Sequence, residues 1–448
     1  MSPKMDANQL FFRLFVYFPV VWSRGQRVPG YLNRLLRSQY LSPSELSSLQ
    51  LEKLQRIVAY AKRSVPFFGA LADKLRTLED LERMPFIGKA DLKRNPGAMI
   101  SREPFYLLTK KTTGGSTGEP VTILKTRDAM AWELAATWRG YSWAGIDIGD
   151  RQARFWGVPF DKKDKARAKL IDFIANRKRC SAFSFNESDL GVYTGVLAKF
   201  KPKYLYGYVS MIEEYARYFE RRGATPPFDL KCVITTSEVL TEAHRQLIER
   251  VFSTKVFNEY GSGELGSIAH ECEAGSLHVS AENMIVEVIK GDRPCDGGEI
   301  GELVVTELNN YAAPLIRYRT GDFASLAVEK CKCGRTLPVI ENLFGRAYDT
   351  LKNSEGKRFH GEFIMYIFEE AQRRNLGIKA FQVTQEDIQS LRVKIVPGEQ
   401  YGRPTEEFIA NLIRERFDRN ARVRFEHVRR IERASSGKMR LIVGMDNR

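Results

Sequence analysis

A run of glycines and hydroxyl residues at positions 112–120 is the first segment of this sequence that could hold a reacting group. It reads Thr-Thr-Gly-Gly-Ser-Thr-Gly-Glu-Pro. Three glycines let a backbone approach a ligand closely, while hydroxyls and amides can point at phosphate oxygens. The run lacks the Gly-Lys-Ser/Thr ending of the kinase and GTPase loop, and a strand rather than a helix is predicted to follow it. We interpret it as a candidate triphosphate-binding loop, with a surface turn as the alternative.

Two motifs that end in an acidic residue follow along the chain. Residues 257–264 read Phe-Asn-Glu-Tyr-Gly-Ser-Gly-Glu and are predicted to lie at the end of a strand. There the ring of Tyr260 can stack on a base, and Glu264 can hold a metal ion that is bound to phosphate. Residues 316–322 read Ile-Arg-Tyr-Arg-Thr-Gly-Asp, and the carboxylate of Asp322 could accept hydrogen bonds from both hydroxyls of a ribose.

Two basic motifs lie closer to the C-terminus. Residues 344–349 read Phe-Gly-Arg-Ala-Tyr-Asp, and residues 435–440 read Ser-Ser-Gly-Lys-Met-Arg. Each motif by itself is compatible with a strand-end turn, a solvated basic loop or a charge pair. The order of all five segments is more informative than any one of them.

Four residues of the second half form a candidate metal-ligand set: Cys272, His278, Cys331 and Cys333. Three thiolates and one imidazole are typical of a closed tetrahedral structural zinc site. The spacing is less regular than in paired Cys-x2-Cys fingers, so four reduced side chains in separate strands are the alternative. No open coordination position is implied, and we expect the metal to cross-link strands without taking part in chemistry. The remaining cysteines are interpreted as bystanders: Cys180, Cys232 and Cys295.

Hydrophobic patterning predicts the elements that position these motifs. It indicates a strand at Lys231–Thr236, a helix at Thr241–Phe252 capped by its first residue, and a strand at Lys255–Tyr260. This order is a βαβ unit. Ligands of open parallel sheets bind beyond the carboxyl ends of the strands, so the loops that follow these two strands should face one site.

The rest of the chain reads as an α/β protein. Two β-type runs, Phe105–Thr112 and Val121–Thr126, flank the glycine-rich run, and a long helix, Arg127–Trp143, follows them. Residues 31–75 read as helices. Between about residues 277 and 326, short strands alternate with Gly/Asp turns, which indicates a smaller β-subdomain.

We predict two domains. Residues 1–345 form a large N-terminal domain of α/β sheets flanked by helices plus the β-subdomain, and residues 346–448 form a small mobile α+β domain. The small domain has about a hundred residues, within the usual range. Its predicted elements are a helix at Glu362–Arg374, a strand at Leu391–Val396, a helix at Thr405–Phe417 and a strand at Val423–Val428.

The five motifs, in this order, resemble the adenylate-forming superfamily of acyl-CoA synthetases, peptide-synthetase adenylation domains and luciferases. The likeness extends from about residue 30 to residue 440. Within the superfamily the chain is similar to the phenylacetate-CoA ligase family, in particular its capsular-polysaccharide and coenzyme F390 synthetase-like branch. The residues that carry this likeness are Val65-Pro66-Phe67-Phe68, Pro85, Lys89-Ala90-Asp91-Leu92, Tyr206-Gly207-Tyr208-Val209-Ser210, Cys331-Lys332-Cys333-Gly334-Arg335 and Leu337-Pro338.

The resemblance implies how the large domain would bind ATP and the acid. Ser237 and Glu238, in the loop 236–240, would wall the adenine, and Tyr260 with Gly261 would stack against it. The acid would lie between the Tyr206-Gly207-Tyr208 segment, the Ser237 loop and the helix that carries Trp138 and Trp143, although such aromatics are more often core than pocket. The loop residues that would bind the phosphates are Thr113, Gly114, Gly115, Ser116, Thr117 and Gly118.

The resemblance also implies a magnesium ligand and ribose contacts. Glu264 would hold Mg²⁺, while Asp322 and Arg346 would fix the ribose. Relatives more often carry a hydroxyl residue where this chain has Gly263, which weakens one phosphate contact.

The C-terminal domain would act as a lid that carries the catalytic lysine. Attack of a carboxylate on the α-phosphate brings anions together, so fixed positive charge and aligned amides lower the barrier. Lys438 would supply that charge. Rotation about a hinge at Asp349 would then remove Lys438 and admit the second nucleophile.

Composition agrees with a large core and an anionic ligand. The chain has 448 residues, 43% of them apolar, and its formal net charge of +15 attracts nucleotides, CoA, an acidic carrier protein or nucleic acid. A basic zinc-containing nucleic-acid-binding protein is the competing class, but the basic residues are scattered and no recognised module appears, so we expect no nucleic-acid partner. An inactive scaffold is a further alternative.

We therefore predict an AMP-forming ligase that adenylates a small carboxylic acid and passes the acyl group to a thiol, either CoA or a carrier protein. The alternative acceptor is an amine or a hydroxyl in polysaccharide, natural-product or cofactor tailoring. Six cysteines are too few for a disulfide scaffold in a chain this long, so we expect a reducing, cytoplasmic compartment. A homodimer stays open.

The apolar stretch Leu10–Trp22 is the one candidate targeting element. Arg13 interrupts it, it is shorter than the roughly 20 residues that a membrane span needs, and no cleavage site follows. We prefer a packed N-terminal helix. Its aromatic density, with Arg13 and Arg24, would also suit a helix that lies on a membrane surface.

Overall fold

A computed structural model describes residues 5–71, 75–112, 121–156, 162–181, 187–346, 351–355, 358–359, 374–432 and 441–445, together with residues 364, 367–368 and 370–371. Within these residues the chain divides into two compact units. The first comprises 5–112, 121–320 and 324–343, and the second comprises 321–323 and the residues from 344 onward. The catalytic roles of the two units stay predictions.

The first unit is built on one large sheet beside a two-stranded hairpin. The hairpin pairs β1 (Thr109–Thr112) with β2 (Thr122–Lys125) in antiparallel fashion. The large sheet contains β3 (Gln152–Trp156), β4 (Arg177–Ser181), β5 (Tyr204–Tyr208), β6 (Cys232–Thr236), β7 (Val256–Ser262), β8 (Gly266–Glu271), β9 (Leu277–Val279), β10 (Met284–Lys290), β11 (Arg293–Pro294), β12 (Gly301–Glu307), β13 (Tyr318–Leu326) and β14 (Val339–Arg346). Its order is β11-β10-β12-β13-β14-β9-β8-β7-β6-β5-β3-β4.

One half of the large sheet is parallel. Strands β4, β3, β5, β6 and β7 pair in parallel, and every residue of β5 and β6 is buried, as expected for a sheet covered on both faces. The helices that connect these strands are α7 (Lys162–Ile174), α8 (Glu187–Phe200), α9 (Val209–Arg221) and α10 (Glu242–Phe252). Thr241 caps α10 through its hydroxyl, which accepts from the His244 amide, so the predicted βαβ unit is confirmed.

The other half of the sheet contains the strands that the sequence assigned to a smaller β-subdomain. These strands are present, and they continue the same hydrogen-bonded ladder through β8, β9 and β14. The first β-type run proves shorter than predicted, because Leu107 has a left-handed φ of 60° and the strand starts at Thr109. Such a φ is incompatible with a continuous extended strand.

The remaining helices of the first unit precede or flank this sheet. The bounds of these helices are α1 (Ala7–Phe11), a π-helical segment (Phe12–Tyr17), α2 (Phe18–Ser23), α3 (Val28–Ser38), α4 (Pro43–Ser64), α5 (Lys89–Arg94) and α6 (Arg127–Trp143), with 3₁₀ turns at Pro66–Phe68 and Glu79–Arg83. Helix α6 has the predicted bounds, and the hydroxyl of Thr126 accepts from the Ala129 amide at its start. Among the helices that the structure describes, none combines the length and apolar character needed to cross a bilayer.

The second unit is a small α+β fold, as predicted. Its four-stranded sheet has the order β19-β18-β17-β20, with α11 (Arg403–Arg416) packed against it. Of the predicted helix Glu362–Arg374, residues 364, 367–368 and 370–371 are helical and Arg374 lies in a turn. Phe368 stacks on Phe381 with ring centroids 3.8 Å apart. The strands of this unit are β15 (Leu351–Lys352), β16 (Arg358–Phe359), β17 (Ile378–Gln385), β18 (Ser390–Pro397), β19 (Arg422–His427) and β20 (Ile442–Val443). Sequence analysis missed β17.

A buried ion pair joins helix α6 to the antiparallel half of the large sheet. Arg139 Nη1 lies 2.6 Å from Glu282 Oε1, and both side chains are almost wholly excluded from solvent. The same guanidinium also donates to the carbonyl of Leu35 on α3. The Arg139 guanidinium therefore connects three segments that are far apart in sequence.

We expect the Arg139→Ala substitution to lower the free energy of unfolding by about 3–5 kcal/mol, because it leaves the Glu282 carboxylate buried without its countercharge. Urea unfolding followed by circular dichroism measures this. Arg56→Ala is the matched control, since Arg56 pairs with Glu52 on an exposed helix face and its loss should cost about 0.5 kcal/mol or less. Equal urea midpoints for the two variants would contradict the assignment.

Candidate active site

The carboxyl ends of three neighbouring parallel strands bring the predicted segments together. Tyr208 on β5 pairs with Thr236 on β6, which in turn pairs with Glu259 on β7. The loops that follow Thr236 and the motif that contains Tyr260 thus lie side by side. This is the arrangement that the βαβ order predicted.

The loop after β6 has a strained backbone and an unexpected anchor. Ser237 has a left-handed φ of 66°, which is uncommon for a non-glycine residue. The carboxylate of Glu238 accepts from the Ser210 amide at 2.7 Å and from the Ser210 hydroxyl at 3.0 Å. Because Ser210 lies in the first turn of α9, Glu238 caps that helix and ties the loop to it. Sequence analysis assigned Glu238 to the adenine wall and missed this contact.

Two glycines of the predicted site are required by close backbone packing. A Cβ on Gly207 would lie 2.3 Å from the carbonyl oxygen of Phe155, and a Cβ on Gly261 would lie 2.4 Å from the carbonyl oxygen of Gly266. Both distances are far below a real contact. The strand pair β7–β8 shifts register between Tyr260 and Gly261, so the motif bends where the ligand is predicted.

The carboxylate predicted to hold magnesium is deeply buried. Glu264 is 1% exposed and lies in the turn between β7 and β8, and the Tyr260 side chain is buried as well. Asp322 is buried on β13, and Arg346 ends the neighbouring strand β14. The Arg346 side chain, Asp349 and Lys438 lie outside the described residues, as do Thr113, Gly114, Gly115, Ser116, Thr117 and Gly118.

The stems of the glycine-rich loop are fixed by two ion pairs. Lys111 on β1 lies 2.6 Å from Glu133 on α6, and Lys125 on β2 lies 2.5 Å from Glu307 on β12. The second pair is buried. Burial raises the pKa of Glu307, and Lys125 opposes that rise. The two strands that enter and leave the loop are therefore held to separate elements of the first unit.

The predicted acid pocket is lined on one side by stacked aromatic rings and a cation. The guanidinium of Arg154 lies 4.6 Å from the Trp156 ring centroid and 4.7 Å from that of Tyr206, and its Nε atom is buried. Trp156 also packs against Tyr208, at 4.3 Å. Sequence analysis did not identify Arg154, because nothing in the pattern of β3 distinguishes it from a surface arginine.

The two tryptophans of α6 do not line the same region. Trp138 packs in the cluster that contains Tyr141 and Tyr206. Trp143 instead packs against His270 and His278, in the direction of the cysteine cluster. Helix α6 was predicted to border the acid pocket, and of its two tryptophans Trp138 shares a cluster with Tyr206 whereas Trp143 does not.

A buried polar network lies directly beside Tyr260. Tyr141 donates to Glu259 at 3.1 Å, Ser267 donates to the same carboxylate at 2.5 Å, and the Ser267 hydroxyl lies 3.2 Å from His270 Nε2. Burial raises the pKa of Tyr141 well above its usual value and lowers the pKa of His270, so both groups are neutral near pH 7. The network holds the position of β7 next to Tyr260.

Arg317, within the motif of Asp322, connects the sheet to the N-terminal helical region. It has a left-handed φ of 50°, and its guanidinium binds Glu287 and the carbonyls of Glu82 and Met84. The guanidinium also lies 4.1 Å from the Phe86 ring centroid. Arg317 therefore fixes the start of β13. The sequence pattern did not reveal this role.

The four predicted metal ligands meet in space. The candidate ligand atoms of Cys272, His278, Cys331 and Cys333 all lie within 4.8 Å of one another. Cys272 Sγ lies 3.6 Å from Cys331 Sγ, and His278 Nε2 lies 3.2 Å from Cys333 Sγ. The other ring nitrogen, Nδ1, lies 3.1 Å from the Leu337 carbonyl, which orients the imidazole. All six cysteines are free thiols.

Comparisons with known proteins agree with the motifs. The family model described as the CapK C-terminal domain matches residues 351–445. A phenylacetate-coenzyme A ligase from Thermus thermophilus is 28% identical over 326 residues, which cover 69% of this chain and 72% of the relative. Protein CapK from Staphylococcus aureus is 26% identical over 422 residues, which cover 89% of each chain.

The solved structure of a 2-hydroxyisobutyryl-CoA ligase in the postadenylation state shares the fold. It superimposes with a TM-score of 0.72 at 20% identity and covers 92% of each chain. The predicted fold class is therefore confirmed. The chain is thus similar in sequence to phenylacetate-coenzyme A ligases and to CapK, and it shares its fold with the 2-hydroxyisobutyryl-CoA ligase.

Proposed function

We propose that this chain is an AMP-forming ligase that adenylates a carboxylic acid with ATP and then transfers the acyl group to a thiol such as CoA. The observation that carries the proposal is the alignment of β5, β6 and β7, whose carboxyl ends present the Tyr208, Ser237 and Tyr260 segments at one edge of the sheet. Relatives over most of the chain are named as ligases of an acid and coenzyme A. The net charge of +15 suits polyanionic substrates.

In this proposal each segment binds one part of the nucleotide. The glycine-rich loop would hold the phosphates, while the Ser237 loop and Tyr260 would enclose the adenine. Asp322 and Arg346 would bind the ribose. The buried carboxylate of Glu264 fits a magnesium ion bound to phosphate, because a hard cation prefers oxygen ligands and would supply charge neutralisation there.

The catalytic charge would come from the second unit. Lys438 would approach the reacting carboxylate and the α-phosphate during adenylation, where a cation stabilises the accumulating negative charge. Movement about Asp349 would withdraw it before the acyl transfer. One lysine would therefore serve the first half-reaction and not the second.

We expect the Lys438→Ala substitution to lower acid-dependent ATP–pyrophosphate exchange by about 100-fold or more, since a cation acting in the transition state is lost. Acids from a panel that includes phenylacetate would be tested for exchange and for hydroxamate formation. Thioester formation from a supplied acyl-adenylate should change far less.

Lys379→Ala is the matched control, because Lys379 is an exposed lysine of the same unit. It should keep wild-type exchange. Exchange by Lys438→Ala at the wild-type rate would remove the proposed role of the lysine, and a wild-type protein without acid-dependent exchange across the panel would remove the proposed function.

The likeness to CapK supports a second candidate acceptor. It extends over 89% of both chains and includes the C-terminal domain model, whereas the likeness to the Thermus thermophilus ligase covers 69% of this chain. An amine or a hydroxyl of a saccharide could therefore replace the thiol in the second half-reaction. Turnover of a preformed acyl-adenylate with CoA, with an amino sugar and with neither, followed by mass spectrometry, distinguishes the two acceptors.

The cysteine cluster supports a structural zinc ion that links β8, β9 and the segment before β14. In a tetrahedral site with Zn–S bonds of about 2.3 Å, neighbouring sulfurs lie about 3.7 Å apart, close to the 3.6 Å between Cys272 and Cys331. The set of three thiols and one imidazole fits zinc, and the carbonyl of Leu337 provides the outer hydrogen bond that such a histidine usually has.

We expect the purified chain to contain about one zinc ion per molecule by mass spectrometry of metals, and Cys333→Ser to lose most of it and to unfold at a lower temperature. Cys295→Ser is the matched control and should keep the metal, because Cys295 lies outside the cluster. A metal content that is equal in the two variants would rule out this site.

A further inference from the structure

One face of the N-terminal helices exposes a row of large apolar side chains. Phe11, Phe15 and Trp22 are 50%, 69% and 60% exposed, and Leu10 and Leu14 are exposed as well. We call these five residues the N-terminal ridge. Phe11 stacks on Phe15 with ring centroids 5.8 Å apart, so the rings form one surface rather than isolated side chains.

The opposite face of the same helices is fixed to the body of the first unit. Tyr17 and Val21 are buried in a cluster with α3 and α6, and the Tyr17 hydroxyl accepts from the Trp138 indole at 2.6 Å. Arg13 forms an ion pair with Asp147 at 2.5 Å. Packing of one face, as the sequence analysis preferred, is therefore combined with full exposure of the other.

Helix α7 extends the N-terminal ridge. The Phe173 ring lies 5.5 Å from that of Phe12, and Leu170 and Phe173 are both nearly 60% exposed. The combined surface is on the order of several hundred Å² of apolar side chain. Exposed patches of this size usually mark an interaction surface, because water contact with so much apolar area is unfavourable.

Exposed cations accompany this surface. Arg24 and Arg27 follow α2, and Arg167 and Lys169 lie on α7, all of them exposed. Three described aspartates nearby are engaged by arginines: Asp147 by Arg13, Asp6 by Arg151, and Asp172 by Arg177 and Arg179. The exposed cations Arg24, Arg27, Arg167 and Lys169 are not among these pairs, so they add positive charge beside the apolar surface.

We propose that the N-terminal ridge and α7 dock the first unit onto an anionic phospholipid surface. The aromatic and leucine side chains would enter the boundary between headgroups and acyl chains, with the exposed arginines and lysine against the lipid phosphates. The described helices are too short or too polar to cross a bilayer, so the contact is interfacial. A partner protein surface or a second copy would need a matching apolar face, whereas a bilayer with anionic headgroups matches both the apolar and the basic residues. The proposal does not depend on the ligase activity.

Co-sedimentation of the full-length chain with sucrose-loaded vesicles tests this proposal. Wild type should sediment with vesicles of phosphatidylcholine mixed with phosphatidylglycerol, more weakly with phosphatidylcholine alone, and less at high salt. The double variant Phe11→Ser with Phe15→Ser should lower the partition coefficient by about tenfold or more, because two membrane-inserted rings are lost. The double variant Arg24→Glu with Arg27→Glu should bind less to the anionic vesicles, and its binding to phosphatidylcholine vesicles should not change.

Matched controls separate docking from misfolding and self-association. Val328→Ser removes an equally exposed apolar side chain outside the ridge and should leave partitioning unchanged. Acyl chains carrying bromine should quench the fluorescence of wild type, and Trp22→Phe should lose most of that quenching. Thermal unfolding at the wild-type temperature confirms that each variant is folded.

Two results would overturn the proposal. The first is wild-type protein that stays in the supernatant with anionic vesicles. The second is that wild type forms a dimer in sedimentation equilibrium, and that the double variant Phe11→Ser with Phe15→Ser is a monomer that binds vesicles as wild type does. That result would assign the ridge to self-association instead.

Discussion

The parallel register of β5, β6 and β7 is the constraint on which the candidate site depends. Parallel strands must all end at the same edge, so three segments separated along the sequence deliver their carboxyl-terminal loops to one place. Gly207 and Gly261 allow the two outer neighbours, β3 and β8, to approach these strands closely, because a side chain at either position would collide with the backbone of Phe155 or of Gly266. The glycines of the motifs therefore serve the sheet before they serve any ligand.

Buried charges then connect this edge to the rest of the first unit. Lys125 with Glu307 and Arg139 with Glu282 each join α6 or its flanking strand to the antiparallel half of the sheet. Such pairs gain little stability against an apolar core, but either partner alone would be a buried charge, so they strongly disfavour other arrangements of the same elements. The stems of the glycine-rich loop thus have fixed positions.

Local chemistry explains what could be predicted from the sequence. Patterning predicted the bounds of α6, where Thr126 supplies a capping hydroxyl, and it predicted α10 together with its cap, Thr241. The contacts that sequence analysis missed are between distant residues: Glu238 caps a helix 28 positions earlier, and Lys125 pairs 182 positions away. Hydrophobic patterning indicates which face of a helix or strand is buried, but it does not indicate which distant residues that element contacts. Trp138 and Trp143 illustrate this, since neighbouring turns of one helix face different clusters.

The N-terminal helices satisfy the packing interpretation of their pattern and leave a second apolar face exposed. A period of three to four residues predicts one apolar face, and here Tyr17 and Val21 satisfy it by packing on α3 and α6. The aromatic residues left over cannot pack on the same neighbours, because they point away from them. Keeping Phe11, Phe15 and Trp22 in water is unfavourable for the isolated chain, and only a second apolar phase or surface recovers that free energy. The N-terminal helices thus carry more aromatic side chains than packing within the chain buries. This excess favours a contact with a surface outside the chain.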